Sequence, residues 1–413
     1  MDIGALSHGL ELDMLRAVRV AVDAMGGDHG PEEVVRGALD WAATHPETEL
    51  LLVGDEPRMR PFFQGDLPDQ VSVVQASESV AMEEHPASAV RRKRDASINV
   101  CMRLVREGRA DAVVTAGHTG AGVASAILHL GRLPGVDRPA LAAQMVTEQG
   151  PFVLLDIGAT TDSSGLNLAQ YAQMGAIYSE RVLGVRDPSV ALLSIGEEGG
   201  KGEARVQDAT KRLMGGAIRF VGNVEGRDLP GHPADVVVCD ATVGNVTIKF
   251  FEGLSSYIFD LVRAEFKRRP WGPIGYLFLR PAIGRIRARF DYERLGGAPL
   301  LGVKGTVLIT HGRARRRMVG FAVEVGAAAA RARIPERISV ALAPGEAERL
   351  AKDRSAAGDG RAAEAGGGSA GVVTSRSARV STTAAAVLTA SAGESTSGSA
   401  GMTGEEALPG DGG

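Results

Sequence analysis

The chain has 413 residues, of which 44% are hydrophobic, and this is enough to bury at least one large core. Its formal net charge of -4 comes from 46 basic and 50 acidic residues, so no overall field attracts nucleic acid. Two cysteines, Cys101 and Cys239, cannot build a secreted disulfide framework, and a reducing cytoplasm fits best. With no signal-like start and no run of about 18 uncharged apolar residues, we expect neither export nor membrane spanning.

Short runs rich in Val, Leu, Ile and Ala recur from Arg19 onward, and such runs predict strands that are buried on both faces. Helical patterns lie between many of them, for example SINVCMRLVREG and LNLAQYAQMGAIYSERVLG. This alternation predicts an α/β fold with a mostly parallel sheet and helices on both faces. The predicted strands are RVAVDAM, LLLVGD, VSVVQAS, ADAVVTAG, FVLLDIGA, VALLSIG, IRFVGNVEG, ADVVVCD and TVLITHG.

Many of these runs end in small or polar residues. In open α/β sheets, ligands bind beyond the carboxyl ends of strands, where helix N-termini present N–H groups. One such turn is usually an ordinary strand-to-helix connection, but their repetition predicts a shared cleft. The residues concerned are Asp23 with Gly26 and Gly27, Gly117 with His118, Asp156 with Gly158, Gly196 with Glu197, Asn223, and Asp240.

The composition of the chain changes towards its end. Residues 351–413 contain no aromatic residue and consist mainly of Ala, Gly and Ser, which cannot offset the entropy of ordering them. We therefore predict an N-terminal extension at 1–18, a catalytic domain at 19–345, and a disordered tail at 346–413.

Two glycine-rich turns resemble nucleotide sites only superficially. VDAMGGDHGP has the spacing G-G-x-x-G rather than the dinucleotide pattern G-x-G-x-x-G, and Asp28 lies where a pyrophosphate would meet bare N–H groups. The loop GEEGGKG lacks the first Gly and the Ser or Thr of a nucleotide phosphate loop. Its Lys201 is either a contact for a single phosphate or a solvated lysine.

The stretch AGHTGAG joins a predicted strand to a predicted helix. Several N–H groups at such a junction can face an anion or a developing oxyanion, which makes Thr119 and Gly120 candidates. His118 can exchange a proton near neutral pH, although a lone His in a turn is more often structural.

Further motifs follow in a fixed order, and together they resemble one family. From Arg19 to about Arg333 the chain resembles the fatty acyl-ACP:phosphate acyltransferases of bacterial glycerolipid synthesis, where ACP is acyl carrier protein. AVDAMGGDHGP is the most specific motif. The others are RRKRDASI, AGHTGA, LLDIGA, SIGEEGGKG, FVGNVEGRD, VVVCDATVGN and GGAPLLGVKG.

Several loops depart from the family pattern. His118 stands where the family usually has Asn, Thr160 ends a segment that usually reads GAN, and Leu295 replaces the Tyr of YGGA. The segment from Cys239 to Asn245 and Ala96 also differ. These changes indicate either an altered activity or a divergent subgroup.

The resemblance implies an isocitrate/isopropylmalate dehydrogenase-like fold, a homodimer, acyl-ACP as donor, inorganic phosphate as acceptor, and no metal or organic cofactor. It also implies proximity to a membrane glycerol-3-phosphate acyltransferase that uses the product. Because phosphate is itself the nucleophile, positioning and electrostatics should dominate catalysis. We predict His118 and Lys201 as catalytic residues. The predicted substrate-binding residues are Asp23, Gly26, Gly27, Asp28, Thr119, Gly120, Asp156, Asn223, Asp240 and Asn245.

Two segments of the sequence each allow two interpretations. The basic run Arg91–Arg94 either attracts the acidic ACP or forms a solvated turn. Residues 250–290 carry apolar residues at helical spacing beside Lys and Arg, which predicts either a dimer-packing helical hairpin or a peripheral membrane contact.

Two other functions compete with phosphate acyl transfer. A dehydrogenase of the related fold would bind a nicotinamide and usually a divalent metal. A catalytically weak scaffold at the membrane would explain the altered loops.

Overall fold

The computed structural model of the chain describes residues 17–343, apart from positions 64, 199, 269 and 290. The predicted tail at 346–413 lies outside the described residues, as do all but the last two residues of the predicted extension at 1–18. The first strand begins at Val18, one residue before the predicted start of the domain.

Strands and helices alternate along the described part of the chain. Within it, the strands are β1 (Val18–Asp23), β2 (Thr48–Gly54), β3 (Val71–Gln75), β4 (Ala112–Thr115), β5 (Ala140–Thr147), β6 (Gly150–Leu155), β7 (Ser189–Leu193), β8 (Arg219–Val224), β9 (Val236–Val238), β10 (Ala298–Leu301) and β11 (Thr306–Ile309). Every predicted apolar run overlaps one of these strands. Strands such as β9 are buried on both faces as predicted, whereas the edge strands β3 and β8 are partly exposed because each has a neighbour on one side only.

Helices connect most of the strands. In the same part of the chain they are α1 (Glu32–Ala42), α2 (Glu56–Met59), α3 (Pro86–Arg92), α4 (Ser97–Arg106), α5 (Thr119–His129), α6 (Gly165–Val182), α7 (Ala204–Leu213), α8 (Ala241–Arg268), α9 (Gly272–Arg289), α10 (Arg316–Arg331) and α11 (Ile334–Ala341). Short 3-10 helices lie at Arg60–Phe62, Gly226–Gly231 and Tyr292–Leu295.

All these strands join one sheet in the order β3-β2-β1-β4-β11-β10-β5-β6-β9-β7-β8. Strands β3, β2, β1, β4 and β11 run parallel to one another, and so do β6, β9, β7 and β8. Between these halves, β10 pairs antiparallel with β11 and β5, and β5 pairs antiparallel with β6. The predicted mostly parallel sheet is confirmed, and its two parallel halves run in opposite directions.

Helices cover both faces of each half of the sheet. Successive residues of a strand point to opposite faces, so their contacts identify the helices on each face. In β1, Val20 packs with residues of α1 and α10, whereas Ala21 packs with residues of α4 and α5. In β6, Val153 packs with residues of α6 and α7, whereas Phe152 packs near the beginning of α8. The predicted helices on both faces are therefore present.

The helical hairpin α8–α9 differs from the rest of the fold in its burial. Only Ala241 and Gly244 of the 28 residues of α8 are buried. The rings of Phe266 and Tyr276 meet edge to face at 5.6 Å and join α8 to α9. Many large apolar side chains of the hairpin are exposed, as in the predicted segment 250–290. No helix among the described residues is both long and apolar enough to cross a bilayer.

Candidate active site

The turns after β1, β4 and β11 meet at the carboxyl edge of the first half of the sheet. The N–H of Asp28 donates to the carbonyl of Gly312 at 2.8 Å, which ties the β1 turn to the β11 turn. A Cβ atom on Gly26 would lie 2.7 Å from the backbone nitrogen of Gly117, so this close approach of the β1 and β4 turns requires glycine. Gly27 has a φ of 87°, which also favours glycine.

Asp23 joins the β1 turn to the β4 turn from inside the protein. The Thr115 hydroxyl donates to its Oδ2 at 2.7 Å, and the N–H of Gly117 donates to the Thr115 hydroxyl oxygen at 3.1 Å. Burial raises the pKa of the Asp23 carboxyl, and hydrogen bonds from Ser97 and Thr115 offset only part of that effect.

His118 lies at the beginning of α5 and caps it. Its Nδ1 accepts a hydrogen bond from the N–H of Gly120 at 3.0 Å, so in the neutral ring Nε2 carries the proton. This bond already uses the Gly120 N–H that the sequence analysis assigned to a ligand. Thr119, between these two residues, lines a large cavity.

Asp156 organises the turn after β6. Its Oδ1 accepts hydrogen bonds from the N–H groups of Leu141, Gly158 and Ala159 at 2.9, 3.0 and 2.9 Å, and its Oδ2 accepts one from Thr160 at 2.8 Å. Burial raises the pKa of this carboxyl, although the backbone donors act in the opposite direction. Asp156 is fully buried, while Gly158 of the same turn lines the cavity.

Asp240 immediately precedes α8, and the first turn of α8 packs against the turn that contains Asp156. Its Oδ1 accepts hydrogen bonds from the N–H groups of Thr242 and Val243 at 2.9 and 3.2 Å, as an N-cap residue does. A Cβ atom on Gly244 would lie 2.0 Å from the Asp156 carbonyl oxygen, so only glycine allows this packing. Asn245, the next residue, lines the same cavity as Thr119 and Gly158.

Near the other end of the sheet, Lys201 lies in the turn after β7 and Asn223 is the last but one residue of β8. The Lys201 Nζ pairs with Glu198 Oε1 at 2.9 Å, and the lysine side chain is 58% exposed. The Asn223 amide donates to the Glu198 carbonyl at 3.4 Å. Neither residue is among those that line the cavity, and the catalytic role of Lys201 stays a prediction.

The cavity has a volume of about 850 Å³ and lies between the sheet and α8. Apolar side chains of β5 and α8 form much of its wall, including Leu141, Met145, Ile248, Phe251 and Phe259. Its polar part contains Thr119, Gly158 and Asn245 together with residues that the sequence analysis did not select. Those residues include Lys249, Glu252, Thr310 and His311.

The sequence analysis did not select a cluster of charged residues that lies at the cavity. Lys249 Nζ lies 3.0 Å from His311 Nε2, and Glu252 Oε2 lies 3.6 Å from the same nitrogen. Arg313 approaches Glu252 Oε2 at 3.3 Å. Two signals could have revealed it: His311 ends a predicted strand like the other candidates, and Lys249 and Glu252 follow Asn245 at helical spacings of four and seven residues.

Comparison with known proteins identifies relatives of the chain. The family model described as "Fatty acid synthesis protein" matches residues 18–337. A phosphate acyltransferase of Desulfitobacterium hafniense (strain DSM 10664 / DCB-2) is 46% identical over 310 residues, which cover 75% of this chain and 92% of that protein. A phosphate acyltransferase of Desulforamulus reducens is 44% identical over 338 residues, or 82% of this chain and 98% of that protein.

A solved structure with a similar fold is a phosphotransacetylase from Streptococcus pyogenes. Its TM-score is 0.51 at 17% identity, and the match covers 80% of this chain and 99% of that one. The fold therefore defines an α/β protein of the architecture that this phosphotransacetylase also has. The sequence matches are more specific: the chain belongs to the phosphate acyltransferase family and is an acyltransferase, as its motifs predict.

Proposed function

We propose that this enzyme transfers a fatty acyl group from acyl-ACP to inorganic phosphate and supplies acyl phosphate for glycerophospholipid synthesis. The observation that carries this proposal is the cavity of about 850 Å³, which has an apolar wall and a polar part. Its size falls within the range of about 300–1,000 Å³ that is usual for ligand sites. An acyl chain suits the wall formed by β5 and α8, and the reacting groups suit the turns at Thr119, Gly158 and Asn245.

The reaction requires one bond to form and one to break. A phosphate oxygen attacks the thioester carbonyl carbon, the C–S bond breaks, and the phosphopantetheine thiolate leaves with the electron pair and then takes up a proton. The N-terminus of α5 at Thr119 favours the negative charge that develops on the carbonyl oxygen. His118 Nε2–H, next to this helix end, is the proposed hydrogen-bond donor to the departing thiolate, which takes up the proton that hydrogen phosphate loses on becoming acyl phosphate.

Direct attack by phosphate is supported by the state of the two cysteines. Burial, followed by the charges of Asp240 and Asp156, raises the pKa of Cys239 well above its ordinary value. Burial and the charge of Asp23 do the same for Cys101. Because the thiolate is the nucleophilic form, neither residue suits an acyl-cysteine intermediate.

The basic run Arg91–Arg94 supports the choice of ACP as donor. Two of its residues pair within the fold, and the other two are exposed. Lys93 donates to Glu84 Oε2 at 2.6 Å and Arg92 to Glu84 Oε1 at 2.8 Å, so Glu84 holds these two within the fold. Arg91 and Arg94 are exposed at the end of α3, and we assign to them the electrostatic attraction of the acidic carrier protein.

The exposed hairpin α8–α9 supports contacts with other molecules. Aromatic and aliphatic side chains beside Arg and Lys suit the surface of an anionic bilayer, and an apolar helix face suits a homodimer. We propose that the enzyme is a cytoplasmic homodimer that binds the membrane peripherally, where a membrane glycerol-3-phosphate acyltransferase consumes its product.

The proposed function is tested by the release of free ACP thiol from palmitoyl-ACP by the full-length protein. We expect release that depends strictly on added inorganic phosphate. Release that continues without phosphate would contradict the proposal. Absence of turnover together with vesicle binding would favour the scaffold, and reduction of a nicotinamide would favour the dehydrogenase.

A further inference from the structure

His311 and Lys249 come from distant parts of the chain and meet in the cavity. The Lys249 ammonium lies 3.0 Å from His311 Nε2. An ammonium group has no acceptor site, so in this contact the lysine donates and the ring nitrogen accepts.

The backbone on both sides of His311 is fixed. The N–H of Thr310 donates to the carbonyl of Thr115 at 2.8 Å, and the carbonyl of Gly312 accepts from Asp28 at 2.8 Å. Both bonds connect the β11 turn to turns that contain predicted site residues. His311 is thus held in place by the same framework that positions Asp28 and Thr119.

The cluster around His311 has more positive than negative groups. Glu252 Oε2 lies 3.3 Å from Arg313, 3.6 Å from His311 and 3.9 Å from Lys249. Burial alone would raise the pKa of Glu252, but its interactions with His311, Lys249 and Arg313 outweigh that effect and lower it. The Glu252 carboxylate therefore approaches the basic side chains of Lys249, His311 and Arg313.

We infer that Lys249 and His311 form a binding site for a phosphate group in the cavity, and this inference rests on the proposed function. A phosphate oxygen can replace the ring nitrogen as acceptor for the Lys249 ammonium, which is a common binder of phosphate. The ring can then donate to a second phosphate oxygen. Glu252 acts as a positioning residue, because it approaches Lys249, His311 and Arg313 through one oxygen.

The cavity adds a second favourable element for an anion. Thr119 begins α5, an 11-residue helix, and lines the same cavity as Lys249 and His311. The N-terminus of a helix carries partial positive charge and suits phosphate. Two sources offer the same chemistry: inorganic phosphate and the phosphodiester of the phosphopantetheine arm.

Kinetics of Lys249→Met and His311→Gln distinguish these sources. We expect the variants to raise either the KM for inorganic phosphate or the KM for palmitoyl-ACP by at least about tenfold, the size of a lost charge-assisted hydrogen bond. A rise for inorganic phosphate assigns the site to the nucleophile, and a rise for palmitoyl-ACP assigns it to the phosphopantetheine arm. Lys249→Arg keeps the charge and should recover part of the loss.

Lys211→Met is the matched control, because Lys211 is an exposed lysine of α7 outside the cavity lining. It should leave both constants unchanged. If neither KM differs between the Lys249 and His311 variants and the wild type, the inference is overturned.

Direct binding separates this inference from the proposed function. Equilibrium dialysis with radiolabelled inorganic phosphate, with palmitoyl-ACP absent and present, requires no turnover. Wild-type enzyme that retains phosphate while Lys249→Met does not would support the site even if acyl transfer were absent. Equal retention by the two proteins, together with equal KM values for palmitoyl-ACP, would refute it.

Discussion

The sheet and the α8–α9 hairpin contain the same kinds of large apolar side chain, which are buried in the sheet and exposed in the hairpin. In the sheet and the helices packed on it, Phe152, Tyr171 and Leu50 are fully buried. In the hairpin, Trp271 is 77% exposed and Phe278 is 79% exposed. Burial of apolar area stabilises the folded state, whereas a large exposed apolar surface favours contact with another molecule. The sheet region thus holds the turns of the site, and we propose that the exposed part of the hairpin contacts a membrane or a second copy of the chain.

The largest expected effect is the loss of stability in Asp156→Ala. The substitution leaves four N–H donors without their acceptor inside the protein. We expect the free energy of unfolding to fall by about 3–5 kcal/mol, because each buried donor left without an acceptor costs about 1–3 kcal/mol. Urea denaturation measures it. Asp162→Ala is the control, because Asp162 is exposed and pairs only at 3.4 Å with Arg138, so its effect should stay below about 1 kcal/mol.

In the hairpin, replacing both Leu277 and Phe278 with Asp should change membrane binding and leave stability almost unchanged. These exposed side chains contribute little to the core, so the melting temperature should hardly change. Flotation with vesicles of anionic phospholipid should be lost, and wild-type flotation should weaken with salt, since charges are screened over about 10 Å at 0.1 M ionic strength.

A control and an alternative outcome make this test specific. Ile195 is 82% exposed but lies outside the hairpin, so Ile195→Asp should float like the wild type. Sedimentation of the double variant as a monomer with unchanged flotation would assign the hairpin to the homodimer instead of the membrane.

A moderate effect on acid stability is expected at Asp235, where β7 and β9 begin. Burial tends to raise its pKa, but hydrogen bonds from His232 and Ser189 outweigh this and hold the pKa at about 2. Because the folded pKa lies below the ordinary 3.8, the carboxylate stabilises the folded state above about pH 4, and this stabilisation is lost as the pH falls towards 2. Asp235→Asn should lower the free energy of unfolding by up to about 2 kcal/mol at pH 7.

Urea denaturation at pH 7 and pH 3 checks this prediction. The difference between Asp235→Asn and the wild type should shrink at the lower pH. A difference that does not depend on pH would show that Asp235 acts through packing rather than through its charge.

The smallest effect is expected from replacing both Cys101 and Cys239 with Ala. Both are buried and have raised pKa values, so they pack as small apolar residues. Most phosphate-dependent thiol release should remain. Trapping of an acyl-enzyme on Cys239, with loss of activity in Cys239→Ala, would show that this mechanism is wrong.

Sequence patterns identified nine strands of the described sheet but not β5 and β10. Strand β5 reads ALAAQMVT and β10 reads APLL, so neither is rich in the β-branched residues that favour strands. These two strands make the antiparallel pairs that reverse the direction of the sheet. Alternation of strands and helices predicts parallel pairs, and it cannot reveal such a reversal.

Sequence patterns indicate which candidate site residues follow strands, but not which residues a helix brings to the cavity. Turns of the first half meet at one edge, so Gly26, Asp28 and Thr119 were selected from strand ends. The position of Lys249 depends on how α8 crosses the sheet, which spacing along the chain does not specify. A prediction based on strand ends therefore selected Lys201, which is outside the cavity lining, and passed over Lys249, which lines the cavity.

The central claim is that phosphate itself receives the acyl group, and the fate of labelled phosphate tests it most directly. Full-length enzyme is incubated with palmitoyl-ACP and radiolabelled inorganic phosphate, and the product is treated with hydroxylamine, which converts an acyl phosphate into a hydroxamate. We predict labelled palmitoyl phosphate in an amount equal to the free ACP thiol, with the label returned to solution by hydroxylamine. Thiol release accompanied by free palmitate, with no label in the lipid fraction, would contradict the account.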